Sequence, residues 1–143
     1  MDISKDYDLP KFGLNFEISK KYNNVTYYGR GDLENYSDFN AHALMGIFKT
    51  TCDDMFVKYI RPQDSGNRTE CRWAQITNDE GYGIKFIANE KTFNFYATPY
   101  RIESITNALH LYELRPYNMN IIRIDAFERG IGSNSCGPDA RVE

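Results

Sequence analysis

Three pairs of acidic side chains lie close enough along the 143-residue sequence to suggest paired-carboxylate chemistry: Glu34/Asp38, Asp53/Asp54 and Asp79/Glu80. Glycoside cleavage needs two carboxyl groups roughly 5 to 9 Å apart on either side of the bond, one acting as acid and the other as nucleophile or base. Each of these pairs falls in a segment of turn chemistry, and adjacent residues of an extended chain point to opposite faces. Their expected state is that of solvated turn acids. His42 and His110 are the only histidines. Neither falls in a metal-ligand pattern, and no G-x-S-x-G elbow supplies a nucleophile for them to activate, so both are expected to be structural. Gly29-Arg30-Gly31 lacks the spacing of a phosphate cradle, and no helix is expected to open after it. Cys52, Cys71 and Cys136 contain no C-x-x-C pair, which excludes a zinc finger or a dense disulfide scaffold. Three reduced thiols of a cytoplasmic protein are expected, with a Cys52–Cys71 bridge between neighbouring strands as the alternative.

The elements that would position these residues follow from composition and pattern. The length suits one domain, and 41% hydrophobic with 26% charged residues supports one modest core. A (β/α)₈ barrel needs roughly 250 residues, so none fits here whole. The net charge of −3 argues against nucleic acid or an anionic membrane as partner. No stretch approaches the roughly 20 apolar residues of a membrane span. Met1 to Asp6 lacks the basic start and apolar run of a signal peptide, and residues 1–8 are expected to be a poorly ordered lead-in. Tyr, Phe and Trp make up 15% of the chain, which favours a pleated, half-buried surface. Their faces could serve as sugar platforms, although core and cross-strand packing is the expected use for most.

Phe12, Leu14, Phe16 and Ile18 alternate with Gly13, Asn15, Glu17 and Ser19, the period of a half-buried strand. After the Lys20–Asn24 turn, Val25–Tyr28 resumes as a second strand, and a hairpin is expected between the two. Ala43–Thr51 and Met55–Ile60 read as strands separated by a turn at Cys52-Asp53-Asp54. Arg68–Thr77 reads as one strand with Thr69, Cys71 and Trp73 on one face. Gly83–Ile87, Thr92–Ala97 and Asn120–Phe127 complete the set. One short helix is expected at 102–109, because Ile102, Ile105 and Leu109 recur at helical spacing between Pro99 and Pro116. Seven or eight short strands with frequent turns predict an all-β, antiparallel sandwich in a single domain, 1–143.

Several ordered segments go further. Gly29-Arg30-Gly31-Asp32-Leu33-Glu34-Asn35-Tyr36-Ser37-Asp38 resembles a G-x-G-P-x-E-N-Y-x-D pattern. Asp54 to Thr69, containing Arg61-Pro62-Gln63-Asp64-Ser65-Gly66-Asn67-Arg68-Thr69, resembles D-E-M-F-V-P-Y-x-R-P-Q-E-N-G-N-R-T. Phe93-Asn94-Phe95-Tyr96-Ala97-Thr98-Pro99-Tyr100 resembles F-N-F-S-A-x-P-Y. Ile124-Asp125-Ala126 with Gly130-Ile131-Gly132 resembles a closing I-D-x…G-x-G stretch. Together, from about Leu9 to Pro138, the chain resembles the C-terminal domain, or small chain, of a β-galactosidase of glycoside hydrolase family 2.

The resemblance implies a fragment, the second half of a supersandwich domain of galactose-mutarotase-like type. The two catalytic glutamates of the family's retaining mechanism would lie on a separate barrel, so no catalytic residue is expected in this chain. It implies the remaining domains or a large subunit as partner, a β-galactoside as substrate, and Mg²⁺ and Na⁺ for the parent enzyme, with no metal or other cofactor held by this fragment. Its last loop would reach the aglycone side of the active site. Ser133, Asn134, Ser135 and Cys136 are the implied substrate-binding residues, with Cys136 where many members carry a tryptophan. Asp32 and Lys58 replace prolines of the pattern, and Phe39 replaces a basic residue. Glu34, Asn35, Arg61, Asn67 and Arg68 are expected to bond loop backbone that has no ladder partner. Glu143 falls where the pattern would continue into another strand, so an unpaired edge and self-association are expected.

Overall fold

The structure, a computed structural model, describes residues 11–128 and 130. Eight strands form within this span: β1 (Lys11–Ser19), β2 (Asn24–Arg30), β3 (Met45–Thr51), β4 (Arg68–Cys71), β5 (Trp73–Thr77), β6 (Gly83–Ile87), β7 (Phe93–Thr98) and β8 (Met119–Glu128). They pair entirely antiparallel in two four-stranded sheets, ordered β1-β8-β7-β4 and β3-β2-β5-β6. The antiparallel sandwich expected from the sequence is what the chain forms.

Period-two alternation decides which side chains fill the gap between the sheets. Ile18, Phe95, Ala97 and Ile122 from the first sheet meet Val25, Tyr27, Ala74 and Ile76 from the second, together with Cys52, Met55 and Cys71. Burying a side chain of Val, Ile or Phe size contributes about 1.5–3 kcal/mol, so this layer is the main driving force of the fold. Most aromatics serve packing as expected: the Tyr27 and Phe48 rings sit 5.5 Å apart, as do those of Phe16 and Phe86. Cys52 and Cys71 are free, buried thiols, so the Cys52–Cys71 bridge does not form.

Four local expectations are corrected. First, β1 and β2 do not make a hairpin: β1 pairs with β8, and the chain crosses to the other sheet at residues 20–23. Asn120 Nδ2 donates to Tyr22 O at 2.9 Å, and Cys52 N donates to Asn23 O at 3.0 Å, pinning that crossing where a turn alone would have closed a hairpin. Second, Met55–Ile60 is not a strand. Residues Cys52–Met55 form one helical turn, α1, capped by Thr51 Oγ1, which accepts from Asp54 N. Third, residues 68–77 are two strands in different sheets. Glu70 takes a positive φ of 52° at the switch, and Arg72 N donates to Tyr28 O at 2.8 Å as the chain joins the second sheet. Fourth, the helix α2 (Ile102–Asn107) forms, but Ile102 and Leu109 are exposed. Ile105 and Ala108 anchor it instead, in a small cluster with Phe56 and Leu114.

The outward faces differ. Tyr96 and Thr98 on β7, with Arg123 and Asp125 on β8, alternate with inward Phe95, Ala97 and Ile122 and lie beneath α2 and two loops. On the second sheet, Ile47, Tyr28, Trp73 and Ile87 stand in direct register across all four strands on the outside. No helix among the described residues is long and apolar enough to cross a membrane.

Candidate functional site

The motif segments converge on one flank of the first sheet. The loop after β2, the loop after α1 and the end of β8 are bonded into a single platform.

Asn35 ties the first loop down. It is fully buried, its Nδ2 donates to Arg30 O and Leu33 O at 2.9 and 3.0 Å, and its Oδ1 accepts from Thr69 N and Thr69 Oγ1 at 3.0 and 2.6 Å. Asn67 Nδ2 donates to Asn35 O at 3.1 Å. Arg68, also buried, has no carboxylate partner among the described residues. Its guanidinium donates to Asp32 O, Gly66 O and Asn67 O and to the Tyr27 hydroxyl, which itself donates to Gly31 O at 2.5 Å. A guanidinium with five fixed donors is suited to gathering several carbonyls at once.

Glu34 is buried rather than a solvated turn acid, which corrects the expectation for that residue. Its Oε2 accepts from Gly66 N at 2.8 Å and from the Tyr36 hydroxyl at 3.3 Å, and its Oε1 accepts from the Tyr59 hydroxyl. Burial, reinforced by the Glu34 hydrogen bond and charge, pushes the Tyr59 hydroxyl up to about 12, and burial likewise raises Tyr36. Glu34 is thus held as an acceptor by hydroxyls that keep their protons. Asp53, Asp54, Asp79 and Glu80 are exposed, as expected. His42 meets Glu34 O at 3.2 Å and packs on Phe39, while His110 stacks on Tyr112 and bonds Glu113, both structural. Arg61 is exposed and makes none of these bonds. The loop-bonding expectation therefore holds for Glu34, Asn35, Asn67 and Arg68 and fails for Arg61.

Sequence reasoning missed a second cluster. Arg123 bonds Asp125 at 2.6 Å, Asp64 at 2.9 Å and Glu128 at 3.1 Å, while Lys11 reaches Asp64 and Glu128. The guanidinium lies 4.7 Å from the centroid of the Tyr96 ring. Burial would lift Asp64, but Arg123 and Lys11 outweigh it and hold the carboxyl below its ordinary value. For Asp125 and Glu128 burial prevails and raises both. The signal was available: Arg123 and Asp125 interrupt the apolar run of Ile121, Ile122 and Ile124 at the same parity, hence on one face. Beside this cluster a cavity of about 160 Å³ is lined by Asp64, Tyr96, Thr98, Tyr100, Ile105 and Arg123.

At the end of β8 the Asp38 carboxylate lies so close to Gly130 that a Cβ there would fall 1.9 Å from Asp38 Cγ. Ser133, Asn134, Ser135 and Cys136 lie outside the described residues, as does the lead-in at 1–8. The platform does not pair two carboxylates across an open cleft. No group of three or more His, Cys, Asp or Glu among the described residues is arranged to hold a metal ion. Chemically, the platform fixes loops.

The family model described as the beta galactosidase small chain matches residues 1–143. The chain belongs to the β-galactosidase small-chain family. Similar proteins include β-galactosidases from Actinobacillus pleuropneumoniae, 36% identical over 133 residues, and Streptococcus thermophilus, 36% identical over 127. A third, from Staphylococcus xylosus, is 34% identical over 138 residues. These matches cover 93%, 89% and 96% of this small-chain domain but only 13%, 12% and 14% of the relatives. The small-chain domain spans about an eighth of the length of the curated relatives it matches.

Proposed function

We propose that this chain is a non-catalytic domain of a retaining β-galactosidase of glycoside hydrolase family 2. It supports the catalytic barrel and shapes the aglycone side of the active site through Ser133, Asn134, Ser135 and Cys136. The parent enzyme hydrolyses terminal non-reducing β-D-galactose from β-galactosides in the cytoplasm. Its acid/base and nucleophile are supplied from outside these 143 residues, and any Mg²⁺ or Na⁺ it uses is bound there too.

One observation carries this reading. The segments that resemble the family patterns, scattered from Gly29 to Gly130, are bonded into one platform among the described residues. A domain whose buried polar groups are committed to holding its own loops is suited to presenting a fixed surface rather than to running chemistry itself. A stand-alone sugar-binding sandwich has less support, because the outward rings of Tyr28 and Trp73 are each covered by a cation.

At Cys136 a thiol offers a small, weakly polar contact in place of the flat area of an indole. In the full enzyme Cys136→Trp is expected to lower KM for lactose-like substrates, and an unchanged or higher KM counts against the loop assignment. The 143-residue chain alone is expected to leave a chromogenic galactoside intact until the remaining polypeptide is supplied; cleavage by the pure chain overturns the non-catalytic reading.

A further inference from the structure

We infer that the outer face of the second sheet docks against another part of the galactosidase polypeptide, onto a surface that offers carboxylates beside apolar side chains. The inference rests on the proposed reading of the chain as one domain of a longer enzyme and specifies which face it uses. In an antiparallel sandwich the outward positions are ordinarily polar. Here the row Ile47–Tyr28–Trp73–Ile87 crosses all four strands in register. Ile47 is 64% and Ile87 71% exposed, at the two ends of the row. Met45 extends the stripe along β3, its Sδ 4.0 Å from the Arg72 guanidinium.

The charges on this face narrow the occupant. The Arg72 guanidinium sits 5.2 Å from the Tyr28 ring centroid and Lys85 Nζ sits 4.3 Å from that of Trp73. Those ring faces are closed to a pyranose, leaving an aliphatic stripe with ring edges, bordered by cations. Lys49 stands next along the strand from Ile47. None of Lys49, Arg72 and Lys85 has a carboxylate partner among the ion pairs of the described residues, although the sequence as a whole carries a net charge of −3. A cationic, aromatic and Met-bearing stripe on an acidic chain is complementary to an acidic, partly apolar protein surface. The relatives extend far beyond the matched segment, which is only 12–14% of their length, so the polypeptide that would supply such a surface belongs to the same enzyme.

Lysine acetylation of the intact enzyme, read by mass spectrometry, tests this. Lys49 and Lys85 are expected to react at least about tenfold more slowly than Lys21 and Lys91, which are exposed beyond the face, because an interface core excludes solvent. Carbodiimide coupling is expected to join Lys49 or Lys85 to an acidic residue outside positions 1–143. Equal acetylation of all four lysines overturns the inference. So do couplings that join two copies of this sheet, and so does protection that appears only when lactose is added. Galactoside hydrolysis by the same preparation is read separately. An active enzyme with unprotected lysines sinks the docking face and leaves the proposed function standing; protected lysines on an enzyme that cleaves no galactoside do the reverse.

Discussion

On the first sheet the outward side chains Tyr96, Thr98, Arg123 and Asp125 are roofed by α2 and by the loops carrying Glu34, Asp64 and Asn67. On the second sheet the outward row Ile47–Tyr28–Trp73–Ile87 has no such roof among the described residues. The same alternation produces both faces, yet the chemistry is nearly reversed: charge lies under cover and apolar surface lies in the open. Covered charge is tolerable only with fixed partners, because a buried ion that loses its partner costs several kcal/mol. Arg123 has three carboxylates and Arg68 has three carbonyls and a hydroxyl. An open apolar row costs little in a solvated fragment and becomes useful when another surface closes on it. The contrast teaches that one face is completed by the chain's own loops, while the other is left open among the described residues.

The sharpest way to break this contrast is to treat the two faces alike. Arg123→Met leaves Asp64, Asp125 and Glu128 without their shared guanidinium and is expected to cost about 3–5 kcal/mol in urea unfolding at pH 7. Arg72→Met on the open face is expected to stay within about 0.5 kcal/mol in the same chain. The sign of the pH dependence follows from the carboxyls. Burial already raises Asp125 and Glu128, and without Arg123 they rise further. The native variant then binds more protons than the unfolded chain, so its stability falls as pH rises, and its deficit narrows on acidification from pH 7 towards pH 5. A deficit that does not change with pH would show that the cluster is not electrostatic in origin.

A finer comparison uses two glycines of nearly the same backbone conformation. Gly66 (φ 88°) lies in the roof over the first sheet, and Gly81 (φ 87°) in the turn between β5 and β6. A Cβ at Gly66 would stand 2.1 Å from Met55 O, whereas at Gly81 nothing lies within 4 Å. Gly81→Ala therefore bears only the left-handed penalty of about 1 kcal/mol, while Gly66→Ala adds a backbone clash and is expected to exceed about 3 kcal/mol in thermal or urea unfolding. Equal losses would mean that the roof yields as freely as an exposed turn.

The smallest effect lies between the faces. Burial pushes the Cys52 and Cys71 thiols up to about 12. A thiol reagent at pH 8 is expected to label them only at the rate of global opening. Above about pH 9 the unfolded thiols ionise first, so stability falls as pH rises. Rapid labelling of either cysteine in the native chain would refute its place in the core.

Part of the fold was legible along the chain: period two in β5 reports directly that Ala74 and Ile76 leave water, whereas in β1 only Ile18 of the alternating set is buried and Phe12 and Leu14 stay exposed. The failures occurred where pairing rather than period decides. Nothing local in Ser19–Asn24 says that β8 will take β1 and so prevent a hairpin. Nothing local in Arg68–Thr77 shows Glu70 turning out of one sheet towards another. Within the platform, Asn35, Asn67 and Arg68 were recognisable as loop-bonding residues, since polar side chains amid irregular backbone have carbonyls and amides to satisfy. Glu34 looked like a turn acid because its donors, Gly66 N and the Tyr59 hydroxyl, are 32 and 25 residues away.

By itself the sequence determined the antiparallel sandwich and the kinship with β-galactosidase small chains, because these depend on residue type and order. Only the tertiary structure decided that Arg123 gathers Asp64, Asp125 and Glu128, that Glu34 is buried, and that four outward side chains on four strands form one row. Those outcomes depend on which distant segments share a sheet or cover it, and desolvation and charge pairing act through space between residues that the chain order keeps apart.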